Sequence, residues 1–271
     1  MKYRPILAPI LKIWGRKKRF QGVQWDDSAI ILSARKHGET SAVVRVLARE
    51  HGVFAGVVRG INSKANRGVV QPGNVVNATW NARLAEHIGT FKLELQQAYA
   101  AHIMADATRL AALTSACSIV ELAMPERHPY PRLYRLFSTF LEDLIGRENW
   151  LQNYVRLELD LLAEAGFGLD LSECAATGSK EGLLYVSPKS GRAVSAEAGE
   201  PYRDKLLALP AFLLTPTKEN AADMQETLAG VRLSGYFLDH WLLAPHNRKL
   251  PAARQRLLEI LKVHDVKEIA S

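Results

Sequence analysis

Between Trp25 and Tyr99 the chain carries five short runs rich in β-branched and aromatic residues, separated by turn clusters. The runs are residues 29–34, 42–48, 53–59, 74–80 and 90–96. Between them fall His37-Gly38-Glu39, Glu50-His51-Gly52, a longer connection ending in Gln71-Pro72-Gly73, and Glu86-His87-Ile88-Gly89. Five strands at this spacing suit a small, partly open barrel of the oligonucleotide-binding type, the OB-fold, a scaffold often used to hold single strands.

After Tyr99 the periodicity becomes helical. Residues 102–122 read as one helix. Leu133, Leu136, Phe137, Phe140, Leu141 and Leu144 form an apolar stripe, with Pro129 and Pro131 at its start and Gly146 at its stop. A third helix is expected over 149–165, ended by Gly166 and Gly168. Residues 169–201 are irregular, with a hairpin expected through 183–187 and 192–195. Helices then follow over 219–229, around Leu233, Tyr236, Phe237, His240 and Trp241, and over 252–263 after Pro251. The expected fold is therefore α+β: an OB-fold at 23–100, then a mainly α-helical domain at 101–271 with a small irregular hairpin insert.

Charge supports this division once it is resolved along the chain. The net charge is +7, yet seven of the 35 Lys and Arg fall in residues 1–22, and the other 28 balance the 28 Asp and Glu. Residues 23–104 carry nine bases against six acids, and 105–170 six against ten, so the barrel is the positive end of the molecule. The two cysteines make no disulfide framework, and Cys117 lies on the apolar stripe of its helix. With no apolar run of membrane-spanning length, a reducing, cytoplasmic setting is expected. Residues 1–22 read as a basic amphipathic helix, a transit peptide, or sequence upstream of the true start. The last is preferred, because the barrel pattern begins at Val23-Gln24-Trp25 and a GTG start codon translated internally would give that valine.

The candidate contact residues are mostly cations. Arg59, Lys64 and Arg67 sit on a small-residue, glycine-flanked loop that reads as flexible and able to track phosphates. Arg35 and Lys36 end the first strand, and Arg83 and Lys92 flank the last hairpin, from where they could extend a groove. Trp80, at a strand end, is a candidate for base stacking. Phe91 shares the parity of Leu93 and Leu95 and reads as core, and Gly56 as a bulge or barrel bend. Asp26-Asp27 reads as a capped or solvated strand start, and His240 as a buried, hydrogen-bonded histidine. The phosphate-binding glycine loop, the nucleophile elbow and the zinc-protease and calcium-loop spacings are missing, so catalytic turnover and cofactors are not expected.

Trp25-Asp26-Asp27, Ile30-Ile31-Leu32 and His37-Gly38-Glu39-Thr40-Ser41 resemble the opening of the RecO family of bacterial recombination mediators. Gln71-Pro72-Gly73-Asn74, Leu157-Glu158-Leu159-Asp160-Leu161-Leu162 with Gly166-Phe167, and Cys174-Ala175-Ala176-Thr177-Gly178 extend the likeness. So do Val186-Ser187-Pro188-Lys189-Ser190-Gly191-Arg192-Ala193-Val194-Ser195 and Leu250-Pro251-Ala252-Ala253-Arg254. The resemblance covers about residues 23–261. It implies binding of single- and double-stranded DNA, strand annealing, partnership with RecR and with the tail of the single-strand-binding protein, and indirect service to RecA. A groove for that acidic, apolar-ended tail is expected near Arg127, Arg132 and Arg135.

Many RecO proteins also hold zinc between two Cys-x-x-Cys pairs. Here the four positions would be Cys174, Thr177 and, approximately, Ser195 and Ala198, so no zinc is expected. Two other readings stay open: a different barrel module serving RNA or translation, and a divergent nuclease or phosphotransferase.

Overall fold

The computed structural model describes residues 23–84, 86–147, 149–214 and 223–269; the extension at 1–22 lies outside them, as does the start of the helix expected at 219–229. The barrel strands are β1 (Val23–His37), β2 (Ser41–Ala48), β3 (Gly52–Arg59), β4 (Val75–Ala82) and β5 (Gly89–Gln97), closed in the order β1-β2-β3-β5-β4. β1 is longer than its apolar run because it serves both sides of the barrel. Its first half pairs with β4, from Val23 opposite Ala82 to Ile30 opposite Val75, and its second half with β2, from Ala29 opposite Ala48 to His37 opposite Ser41. An irregularity between Ile31 and Ser33 bends the strand between the two partners.

Alternate residues of each strand fill the barrel: Ala29, Ile31, Val44, Val46, Phe54, Val76, Ala78, Trp80 and Phe91 form one buried cluster. Gly56 stands in a regular register opposite Val44, so it is no bulge. A Cβ there would come within 2.5 Å of the Phe91 ring, and close packing is what the glycine permits. Asp27 is buried rather than solvated. Its carboxylate accepts the Glu50 amide at 2.8 Å and lies 3.0 Å from Nδ1 of His51, tying β1 to the turn between β2 and β3.

The connection after β3 contains a short helix where a flexible loop was expected. Ser63 caps the short helix α1 (Lys64–Val69), its hydroxyl accepting the Asn66 amide at 3.2 Å. Ile61, Val69 and Val70 pack against the barrel core, and Asn62 and Ile61 bond back to Glu39 and Thr40 in the turn between β1 and β2.

In the helical domain, the helix expected over 102–122 is two: α2 (Tyr99–Ile103) and α3 (Ala107–Ala123). Asp106 makes the break, its side chain accepting the amides of Thr108 and Arg109 at 3.0 Å each. α4 (Pro131–Gly146) and α5 (Trp150–Glu164) follow. Then come β6 (Leu183–Val186), β7 (Ala193–Ser195), the single turn α6 (Ala196–Gly199) and β8 (Leu207–Ala208), a third strand that the hairpin pattern did not suggest. α7 (Met224–Phe237) joins what read as two helices, passes through a π-helical stretch at Leu238–Leu243, and is followed by α8 (Ala252–Ile269). His240 is exposed there, its ring stacked on Tyr236 at 4.1 Å, because the wider turn rotates it off the apolar stripe.

The two domains share a core. Ile30, Leu32, Leu47 and Val53 on the outside of the barrel pack with Leu113, Cys117 and Val120 of α3 in one buried cluster. The connector between α3 and α4 adds backbone contacts. Val53 bridges Glu126, its carbonyl accepts the Arg127 amide at 2.8 Å, and Gly52 sits so close to His128 that a Cβ would fall 1.7 Å from its carbonyl oxygen. Deep in the helical domain, Glu158 of α5 takes Arg254 of α8 through Nε at 2.6 Å and the guanidinium edge at 3.0 Å. Tyr154 and Ser234 donate to the same carboxylate, and Arg254 also reaches the Val231 carbonyl. Burial, and then Glu158 beside it, hold the Tyr154 phenol well above its usual range, so it remains a donor.

Candidate nucleic-acid interface

Strand register decides which cations share a surface. On the outer face of β1-β2-β3, Ser33, Arg45 and Ala55 form one cross-strand row, Arg35, Val43 and Val57 the next, and His37, Ser41 and Arg59 the third. Arg45, Arg35 and Arg59 thus stand on successive rows spaced about 7 Å along the strands, on β2, β1 and β3 in turn, because side chains on one face recur every second residue. α1, which follows Arg59 in the chain, carries Lys64 at its start and an exposed Arg67 in its last turn, where Arg67 lines a cavity with Gln71, Asn74, Ala98 and Met104. Asn66 ties α1 to the end of β3, its side-chain amide donating to the Arg59 and Gly60 carbonyls. The arrangement is a cationic strip on a hydrogen-bonded frame of strands, suited to a chain of phosphates.

The cations are not equally available. Arg35 is 72% exposed but lies 2.8 Å from Glu121 of α3. Arg45 lies 3.5 Å from the same carboxylate and 2.8 Å from Glu126. Lys36 has the other parity, in a row with the buried Ala42 and Val58, and is exposed at the barrel mouth. Arg45 joins the strip although the sequence did not single it out. The half-exposed alternation of β2, in which it is an outward position, is the signal that marks it.

Arg83 and Lys92 do not join this strip. Arg83 is exposed on the hairpin between β4 and β5, at the Val23 end of β1, whereas the strip runs towards the His37 end. Lys92 faces outward in a row with Thr79 and Asp26 and is paired with Glu94 at 2.7 Å. Trp80 cannot stack on a base. It is 1% exposed, donates Nε1 to the Ala55 carbonyl at 3.2 Å and meets Phe54 edge-on inside the barrel. Its parity puts it inward at a strand end that the long β1 covers.

On the helical domain the three arginines part company. Arg127 has a left-handed backbone (φ 65°), lays its guanidinium over Phe54 and donates to the Glu86 and His87 carbonyls, bracing the barrel hairpin. Arg132 pairs with Asp160 at 2.7 Å, and Arg135 is exposed one turn further along α4.

The positions aligned with the family's zinc ligands do come together. The Ser195 amide donates to Cys174 Sγ at 3.2 Å, and that thiol lies 3.4 Å from the Ser195 hydroxyl. One thiolate donor does not fit a tetrahedral zinc, and among the described residues no three His, Cys, Asp or Glu converge.

Two family sequence models match, "Recombination protein O N terminal" over residues 23–99 and "Recombination protein O C terminal" over 104–251. The chain is similar to the DNA repair protein RecO of Rhodospirillum centenum, with 50% identity over 88% of this chain and 94% of that protein. The RecO of Rhodospirillum rubrum is 47% identical over 89% and 97%, and that of Ruegeria sp. 42% over 88% and 98%.

Proposed function

The chain belongs to the RecO family of DNA repair proteins, and from that premise we propose that it is a recombination mediator acting by binding alone. It binds single- and double-stranded DNA along the outer face of β1-β2-β3 and α1. It brings complementary strands together by neutralising their mutual repulsion and consumes no nucleotide. With RecR it helps RecA onto DNA coated with single-strand-binding protein, whose acidic tail docks on the helical domain near Arg132 and Arg135. The work is done in the cytoplasm, and no helix among the described residues is long and apolar enough to cross a membrane. The observation that carries this reading is the alignment of Arg45, Arg35 and Arg59 on consecutive rows, with α1 following Arg59 in the chain.

The test is titration of labelled single-stranded DNA with the full chain over a range of salt. Replacing Arg59, Lys64 and Arg67 together by alanine should flatten the dependence of log affinity on log salt by about 2, since each phosphate contact on a single strand contributes about 0.7. An unchanged slope removes α1 and the end of β3 from the interface.

A further inference from the structure

The arginine strip does not end at the edge of the barrel. Beside Arg45 and Arg35 open two cavities, of about 400 and 510 Å³, that share Arg45, Glu121, Leu122 and Arg248 in their walls and so form one cleft between the domains. Its far wall comes from the segment between α7 and α8. Asn247 adopts a left-handed conformation (φ 54°), which turns the chain back so that the Arg248 amide bonds to the Leu243 carbonyl at 3.0 Å. The Arg248 guanidinium then donates to the Leu122 carbonyl near the end of α3. Three arginines from three parts of the chain therefore line one polar cleft, with His246 at its side.

Between them lies Glu121, its side chain 11% exposed. Its Oε1 is within ion-pair distance of both Arg35 and Arg45, yet that buried oxygen receives no well-directed hydrogen bond. The carboxylate is held as a counterion and not as a fitted acceptor. A phosphodiester presents the same charge and the same acceptor oxygens to the same guanidinium groups.

We infer that this cleft continues the DNA path from the barrel onto the helical domain, with Arg248 contributing a phosphate contact and Glu121 standing as an internal anion in competition with the backbone phosphate. The inference rests on the reading of the barrel as a DNA-binding surface and adds to it a second domain and a restraining charge. Glu121 limits affinity at the junction, so a strand engages the barrel strip first and the cleft only when its phosphate displaces the carboxylate.

The experiment measures binding of a labelled oligothymidine to the full chain at about 50 mM and about 200 mM salt. Glu121→Gln keeps the side-chain shape, removes the competing charge, and should tighten binding roughly five-fold at the lower salt, less at the higher. Arg248→Gln should weaken binding by a similar factor and flatten the salt slope by about 0.7. Because Arg248 also bonds the end of α3, its thermal melting is recorded alongside, and Glu121→Gln decides the matter if that variant is unfolded. Salt-dependent binding by the unaltered chain with no change in Glu121→Gln overturns the inference and leaves the barrel reading standing. Absence of binding by the unaltered chain removes both. Tighter binding of Glu121→Gln to polyaspartate but not to DNA also overturns it and assigns the cleft to an acidic peptide.

Discussion

Two carboxylates in this protein each hold arginine from a distant part of the chain, and water separates their roles. Glu158 and Arg254 are each 2% exposed, and Tyr154 and Ser234 complete the carboxylate's hydrogen bonds. Glu121 faces Arg35 and Arg45, which are 72% and 32% exposed. In the first region the charges have nowhere else to go: removing one partner strands the other in a low-dielectric interior. In the second, Glu121 is itself only 11% exposed, but its two arginines share it and reach into solvent, so either can leave while the other stays. The same chemistry therefore fastens two helices in one place and, in the other, sets two exposed arginines against a single carboxylate.

Arg254→Ala puts the most weight on this contrast and should destabilise the chain by roughly 3–5 kcal/mol in urea unfolding. A loss below about 1 kcal/mol would place the pair with ordinary surface bridges. Next in size, double-mutant cycles should give a coupling of about 2–3 kcal/mol for Glu158→Gln with Arg254→Met. Glu121→Gln with Arg45→Met should give under about 1 kcal/mol. Equal couplings would erase the distinction. Replacing Arg35 alone by alanine, which leaves Arg45 beside Glu121, should move stability by less than about 1 kcal/mol while weakening single-stranded DNA binding about three-fold at low salt; a stability loss without a binding loss would reverse its assignment. The smallest effect is expected at the third polar cluster. Since Cys174 and Ser195 are joined by hydrogen bonds, a strong chelator should shift the melting temperature by less than about 1 °C, and a larger drop would mean that metal holds the β6-β7 region.

The barrel was legible because each strand buries one face and shows it by alternation, and turn residues mark four of its boundaries. The double duty of β1 was not, since its first residues, Val23 to Asp26, pair with β4 without an apolar run to announce them. In α2 and α3 a single Asp106 outcompeted a continuous helical pattern. Glu158 left a signal that went unread: it follows Leu151, Tyr154 and Val155 on the inward stripe of α5, where a carboxylate needs a partner. Arg254, three residues after Pro251, looks like any exposed base at the start of a helix. At the interface, sequence distinguished basic loops from acidic ones but not one barrel face from another. Arg35 and Arg59 fell on the strip, Arg67 turned towards α2, Lys92 and Arg83 lay elsewhere, and Trp80 was lost to the core because its strand end is covered. Arg248 gave no local sign, since its place depends on the left-handed turn at Asn247.

The seam at Gly52, Val53, Glu126, Arg127 and His128 has a mechanical consequence. Main-chain bonds and a glycine with no room for a side chain pin the linker before α4 to the start of β3, and Arg127 clamps the neighbouring hairpin as well. The barrel and α4 are thereby gauged against each other like the jaws of a locked caliper. A load on one jaw is therefore held at a set offset from a load on the other, and neither can shift without breaking main-chain bonds.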